Sequence, residues 1–378
     1  MRRVVKVSRI RIIITIIVVV LTTLLTGCTG KEPNEIAYVV ALGIDSTDDD
    51  NYKITIQYAN TTQISGGASE SGGKAGSEIV DNVTIEAPNI YAGVGLANNI
   101  VSKSFSMSHA KLIVFSKEIA EKGVKDMIET LVRSEEIRPD VFIAVANTTA
   151  NDYLTSVNPE MEVNPAQYYQ LIYQKNQLVG IPDGQLREFF TGLYTDNYDS
   201  ILPVAGVIEG SGGNSQNDDK GQSKDSQNEG SEGSSESLDS FESKNSDENE
   251  KEKDAEKNTS KYEYDIKNYV GGETAIEKKN KAEAIGAAVF EKDKMVGELG
   301  EVETEICKML KGDYTYSYLT YYNNDTPDIP ITVKTTQQKK PKYKIDTDKK
   351  TVDIELYIES DLYSLPADYN VENKIEDF

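Results

Sequence analysis

Cys28 follows Leu25, Thr26 and Gly27, an order of residues that suits its thiol to covalent modification. A branched apolar residue and two small ones fit the narrow subsites of a signal peptidase. The thiol takes a diacylglyceryl group and cleavage in front of it frees an amine for a further acyl chain such as palmitate. Two such signals exceed what stable membrane anchoring requires. Upstream stand Arg2, Arg3, Lys6, Arg9 and Arg11, then an apolar run from Ile12 to Leu21 broken only by Thr15. A basic stretch, a short apolar stretch and a small-residue cleavage site define a secretory signal. A membrane-spanning helix needs roughly 20 apolar residues, and Ile12 to Leu25 supplies about 14 positions. The expectation is a signal peptide over residues 1–27, lipid on Cys28, and a chain held on the outer face of a bacterial cytoplasmic membrane. The other reading, an uncleaved anchor helix, fits less well because Thr29, Gly30, Lys31 and Glu32 form a polar tether at once.

Other reactive residue types lack company. His109 is the sole histidine, and no Gly-x-Ser-x-Gly elbow supplies a nucleophile for it. It reads as a strand-edge histidine bonded to backbone. Asp45, Asp48, Asp49 and Asp50 lack the ligand spacing, glycine and terminal glutamate of a calcium loop and read as a solvated turn. Arg133, Glu135, Glu136 and Arg138 straddle a helix end before Pro139, where they pair across a turn or serve an interface. Gly93 and Gly95 lie in a helical stretch without the rest of a dinucleotide fingerprint. With Cys28 acylated, Cys307 is the only thiol left, so neither an intramolecular disulfide nor a cysteine metal site can form. No enzyme, metal or cofactor reading finds residues to stand on.

Five of the 40 Lys and Arg lie in the first eleven residues, so the chain beyond the signal carries a net charge of about −28 against 63 Asp and Glu. Such a surface repels nucleic acid and anionic headgroups, which excludes a DNA-binding or polybasic membrane-docking protein.

The elements that position these residues read as follows. Ile36–Leu42 and the alternating Tyr52–Tyr58 pair as strands around an Asp-rich turn, and Ser65–Gly76 is a hairpin loop. Ile90–Ile100 has helical spacing, His109–Phe115 is an apolar strand, Ile119–Leu131 is one amphipathic helix, and Val141–Ala146 is a strand. From Glu209 to about Lys261 the chain is Ser, Gly, Asn, Asp, Glu and Lys, with Leu238 and Phe241 as exceptions, and cannot bury enough surface to order itself. Beyond it Ala284–Phe290 is a strand, Val302–Met309 a helix, and Ile329–Lys334, Pro341–Asp346 and Thr351–Ser360 alternate as an antiparallel sheet. The expected class is α+β and multi-domain: mixed sheets with flanking helices in two folded parts, 28–208 and 281–378, split by a disordered acidic linker over 209–280.

Several blocks together resemble the Ger(x)C family, the C-subunit lipoproteins of spore germinant receptors. They are Asn34-Glu35-Ile36-Ala37 leading to Gly43-Ile44-Asp45; Ser108-His109-Ala110-Lys111-Leu112-Ile113-Val114-Phe115-Ser116; Arg133-Ser134-Glu135-Glu136-Ile137-Arg138-Pro139; Asp199-Ser200-Ile201-Leu202-Pro203; and the stretch from Ala284 to Leu299. Two departures stand out: Thr29 occupies the place of an aromatic residue that often follows the lipidated cysteine, and the linker is unusually long. The resemblance implies a non-enzymatic subunit of a germinant receptor in the spore inner membrane, working with membrane-embedded A- and B-type subunits, with a structural or interface role for His109. It also implies a C-terminal domain that is truncated here, leaving an apolar face uncovered. The alternative from another class is a lipid-anchored solute-binding protein of a transporter, which requires two similar α/β lobes around a cleft. A third, a cell-wall hydrolase, lacks its catalytic residues.

Overall fold

A computed structural model of the chain describes residues 11, 13–18, 35–49, 51–59, 80–159, 161–162, 164–174, 180–208, 264–265, 268–274, 280–323 and 326–364. Cys28, the Ser65–Gly76 loop, Asp50 and residues 209–263 lie outside them. No helix among the described residues is long and apolar enough to cross a membrane.

In chain order the first part comprises β1 (Ile36–Ser46), β2 (Tyr52–Ala59), β3 (Val80–Ala87), α1 (Ile90–Ala97), β4 (Ser104–Ser106), β5 (Leu112–Ser116), α2 (Lys117–Lys122), α3 (Lys125–Val132), β6 (Phe142–Ala146), α4 (Ala150–Ser156), α5 (Pro165–Gln174), α6 (Leu186–Leu193) and β7 (Ile201–Val207). Then come β8 (Tyr264–Asp265), β9 (Ala282–Glu291), β10 (Lys294–Leu299), α7 (Glu301–Lys311), β11 (Tyr316–Asn323), β12 (Thr326–Asp346) and β13 (Thr351–Ser364). Mixed sheets with flanking helices make this an α+β chain.

The first sheet runs β10-β9-β7-β6-β5-β1-β2-β3, with β4 beside the start of β1. β1, β5, β6 and β7 are mutually parallel neighbours, while β2, β3, β9 and β10 add antiparallel strands at the two sides. Every residue of β5 (Leu-Ile-Val-Phe-Ser) and β6 (Phe-Ile-Ala-Val-Ala) is buried, as continuous apolar runs in a parallel sheet demand. α1, α2, α3 and α6 cover one face, through residues such as Val94, Ile119, Ile128 and Phe189. α4 and α5 cover the other with Leu154, Tyr153, Tyr169 and Tyr173.

Asp45 is not part of a solvated turn: it lies in β1, is buried, and its two carboxylate oxygens accept the N–H groups of Ala150 at 2.6 Å and Asn151 at 3.0 Å, capping α4. Burial pushes its carboxyl above the ordinary range, and the two N–H bonds oppose that push. Asp48 and Asp49 do occupy the turn between β1 and β2.

The single helix expected over Ile119–Leu131 is two. Gly123 adopts φ +124°, and Val124 donates its N–H to Asp293 O at 3.0 Å instead of continuing the helical ladder. A side chain at 123 would also run into the Asp293 carboxylate.

β9 and β10 follow the acidic stretch yet belong to the first sheet. β9 pairs antiparallel with β7, from Ile201↔Val289 to Val207↔Ala282, and Ile208 N–H donates to Lys281 O at 2.8 Å. Residues 268–274, expected as the end of a disordered linker, instead cross β7: Val270 packs on the core, and Gly206 leaves room for the backbone of Gly271 and Gly272 where any Cβ would collide. In chain order the acidic stretch therefore lies between β7 of the first sheet and β8 of the second, and the chain returns to the first sheet through residues 268–274.

The second sheet, β13-β12-β11-β8, is antiparallel with α7 packed against it, so the chain does not form two similar lobes. β11 has no counterpart in the sequence reading, and the expected Ile329–Lys334 and Pro341–Asp346 strands are one strand, β12, which carries Pro341 inside a register break between Lys339 and Lys342. From Lys339 to Asp346, β12 pairs with β13 alone. That two-stranded ribbon has an apolar side with Tyr343, Ile345, Val352 and Ile354 exposed, and a charged side where Lys342 lies 3.6 Å from Glu355 and both Lys339 and Lys342 sit over the Tyr357 ring.

Loop-closure entropy grows by about 0.6 kcal/mol per doubling of length. Deleting residues 213–258 is therefore expected to leave the fold intact and to raise its stability by about 1.5 kcal/mol at most, measured by urea denaturation. A loss of several kcal/mol would mean that the acidic stretch makes stabilising contacts.

Candidate functional site

Parallel strands share a direction, so β1, β5, β6 and β7 all begin at one edge of the first sheet. β4 begins there too, pairing parallel with β1 as Ile36↔Ser104 and Tyr38↔Ser106. α1 ends at this edge in the 98–103 turn that leads into β4, and α3 ends there in the 133–141 turn that leads into β6. The edge thus collects His109, Arg133, Glu135, Glu136 and Arg138 from separate parts of the chain.

Their positions follow from local hydrogen bonding. Ser134 Oγ accepts from Glu136 N at 3.2 Å and Ile137 N at 3.3 Å, closing the turn after α3. Ile137 is buried by that turn, and Glu136 is aimed across the gap so that its carboxylate accepts Met107 N–H at 2.7 Å. Met107 begins the 3₁₀ turn Met107–His109, whose N-cap is Ser106.

His109 ends that turn, exposed rather than on a strand edge. Its Nδ1 is 3.0 Å from Ser108 Oγ, not bonded to backbone, and its ring meets Tyr38 edge-on at 4.7 Å. Among the described residues no carboxylate is hydrogen-bonded to the ring, so the Ser108–His109 pair lacks the orienting third group of a catalytic triad.

Arg133 pairs with Glu129 at 3.4 Å on exposed helix surface, an interaction that contributes little to stability. Arg133, Glu135 and Glu136 rim a groove of about 580 Å³ between α1 and α3 whose floor includes Val94, Phe105 and Met107. Arg138 lies outside the groove, in the loop entering β6. The sequence names the rim but not the groove, because α1 and β4 close it only once the sheet is assembled.

A second recess, about 500 Å³, lies between the approach to β7 and the C-terminal half of α7, lined by Asp183, Phe189, Tyr198, Lys308, Lys311 and Tyr314. Behind it Glu305 accepts from Ser317 Oγ at 2.6 Å, Ser317 Oγ lies 2.6 Å from Tyr314 OH, and Tyr314 OH reaches Thr335 Oγ1. This network fastens α7 to β11 and β12. The N-terminal end of α7 is fastened instead to the strap over the first sheet, through Glu301 N–H to Tyr269 O at 2.8 Å and Val302 N–H to Asn268 Oδ1 at 3.0 Å. Burial pushes the Glu305 carboxyl up to about 7 and the Lys308 ammonium down to about 8. Sequence reading missed this pair. The available signal was that Thr304, Glu305, Lys308 and Met309 share one stripe of an amphipathic helix, where charge is out of place.

Among the described residues no group of three or more His, Cys, Asp and Glu could hold a metal ion.

Comparison with known proteins gives a consistent likeness. Residues 30–207 match the family described as "Spore germination protein N-terminal domain", and residues 285–378 match "Spore germination B3/ GerAC like, C-terminal". Spore germination protein KC of Bacillus subtilis (strain 168) is 26% identical over 174 residues, covering 42% of each chain. Putative spore germination protein YfkR of the same organism is 28% identical over 145 residues, covering 38% of this chain and 37% of that one. Spore germination protein GerQC of Bacillus cereus is 27% identical over 104 residues, covering 27% and 29%. The chain thus spans less than half the length of the curated relatives it matches. No solved structure matches it.

Two outcomes are expected from this geometry. Glu136→Ala removes the acceptor of Met107 N–H and should cost about 1 kcal/mol in chemical denaturation, while Glu136→Gln, which keeps an acceptor oxygen, should cost less. Glu305 binds its proton more tightly when folded, so its contribution to stability falls as pH climbs from the unfolded value near 4.5 through about 7. Glu305→Gln should leave the melting temperature little changed at pH 5 and raise it by a degree or two at pH 8, since about 1 kcal/mol moves it by ~1–2 °C in a chain this size. A variant that melts lower at pH 8 would assign the Glu305 charge a net stabilising role.

Proposed function

We propose that this chain, which belongs to the Ger(x)C family of spore germination proteins, is the lipid-anchored, non-enzymatic C-type subunit of a nutrient germinant receptor. It supports assembly of the receptor and the coupling of nutrient sensing to germination. The observation that carries the reading is the match of both family descriptions, in order, over residues 30–207 and 285–378, behind a lipobox ending at Cys28.

The anchoring is through lipid on Cys28, on the outer face of the spore inner membrane. Its partners are the membrane-embedded A- and B-type subunits. The functional units are a signal over 1–27, an N-terminal germination region over 28–208, an acidic linker over 209–280 whose residues 268–274 and 280 pack on the first sheet, and a C-terminal germination domain from 281 onward. An edge that gathers charged side chains around an apolar-floored groove suits binding better than turnover, and a tethered protein needs only weak contacts because its partners share the same membrane.

The test is to express the precursor, wild type or Cys28→Ala, in a spore-forming host and recover it from spore inner membranes in mild detergent. Mass spectrometry is expected to find A- and B-type subunits with the wild type and to find them lost or reduced with the alanine variant. A lipidated chain that comes down alone would refute the assembly role, and an unacylated wild-type chain would refute the anchor.

A further inference from the structure

The geometry points to the strand-start edge of the first sheet as a bilayer-contacting surface, in which Ile100 at the end of α1 inserts among lipid headgroups. This rests on the reading that Cys28 carries the lipid. It goes further by fixing which face of the fold meets the membrane and which residue enters it.

Chain length sets the orientation. Eight residue steps separate Cys28 from Ile36, the first residue of β1, and fully extended they reach at most about 28 Å. β1, with its 11 residues, is itself about 36 Å long. An upright sheet resting on its opposite edge, where Ser46 ends β1, would lift Ile36 farther from the bilayer than the tether can follow. The edge holding Ile36, Ser104, His109 and Arg138 is the one that reaches the membrane.

That edge has the surface chemistry for it. Ile100 is 68% exposed, four residues before Ser104, the partner of Ile36, so it lies within roughly 20 Å of the point where the tether joins the fold. Leu96 and Val132, at the ends of α1 and α3, are also exposed large apolar residues on this side. In a chain of net charge −23 the stretches entering β1, β4, β5 and β6 at this edge are locally neutral, Lys103, Lys111, Arg133 and Arg138 standing with Glu35, Glu135, Glu136 and Asp140, while Asp196 and Asp199 lie to the side in the loop before β7. These stretches therefore escape the repulsion that the rest of the molecule meets at anionic headgroups. One inserted isoleucine is too weak to hold a protein on a bilayer, but the lipid on Cys28 keeps it at high local concentration there.

Ile345, at the ribbon tip, is as exposed as Ile100, at 69%, and serves as the internal control for apolarity without placement. Lipidated full-length chain carrying Cys307→Ser and either Ile100→Cys or Ile345→Cys would be labelled with an environment-sensitive dye. It would then be placed in vesicles of phosphatidylethanolamine and phosphatidylglycerol containing spin-labelled lipid. The dye at 100 is expected to be quenched severalfold more than the dye at 345. Equal quenching, or more at 345, in a chain that floats with the vesicles overturns the proposal while leaving the anchor intact. A chain that does not float overturns the anchor and the contact with it. A photocrosslinker at 100 that captures protein rather than lipid in native membranes would reassign the edge to a protein partner and also overturn it.

Discussion

β5 and β6 have no exposed residue on either face, so the first sheet exists only while it is covered on both. That single requirement accounts for much of the architecture. It calls for helices on opposite sides, and it places four aromatic side chains of α4 and α5 in the second layer, where their hydroxyls need partners. Tyr169 OH donates to Gln57 Oε1 at 2.5 Å, Gln57 Nε2 to Leu154 O at 2.8 Å, Asn280 Nδ2 to Tyr168 OH at 2.9 Å, and Tyr153 and Tyr173 hydroxyls meet at 3.1 Å. A buried hydroxyl without such a partner costs about 1–3 kcal/mol. Asn280, just before β9, is thus a polar lock from the far side of the acidic stretch on the tyrosine layer of the near side.

The same parallel arrangement decides where recognition can sit. At the strand ends the helical cover gives way to turns, and turns expose side chains. Here the turns before β4, β5 and β6 bring together residues more than 25 positions apart, and the carboxylate of Glu136 holds the 107–109 turn to the 133–137 turn through one main-chain bond. α7 plays the complementary part. Fixed at its start to the strap over the first sheet and along its length to β11 and β12, it makes the relation of the two sheets depend on one helix.

Local patterns carried much of the first sheet. The apolar runs of β1, β5 and β6 and the alternation of β2 are properties of short windows, and short windows suffice to identify buried strands. Pairings across long separations leave no such trace: nothing in Ala282–Glu291 distinguishes a strand that opens a new domain from one that completes the sheet begun at Ile36. Gly123 was visible as a glycine, but only the carbonyl of Asp293, 170 positions away, makes it a break between helices. For the edge, charged residues before Pro139 signalled an exposed turn, while the groove they rim needs α1 and β4, and its shape was beyond sequence. Asp45 and Glu305 illustrate the converse. Each is a carboxylate that composition assigns to solvent and that folding buries with donors ready for it.

The β12–β13 ribbon has a consequence of its own. Among the described residues, over Lys339–Asp346 and Thr351–Tyr357 its main-chain partners are each other, its side chains are largely exposed, and the helical cover reaches only its base, where Gly312 at the end of α7 abuts Lys340 and Pro341. A two-stranded ribbon standing alone in water is marginal. Its amide hydrogens should therefore trade with solvent deuterium by local opening, long before those of β5 and β6, which wait for the whole sheet to come apart. The protein thus carries, roughly 27 Å beyond the third strand of its second sheet, a limb whose order is set by whatever it touches and not by the core that holds it out.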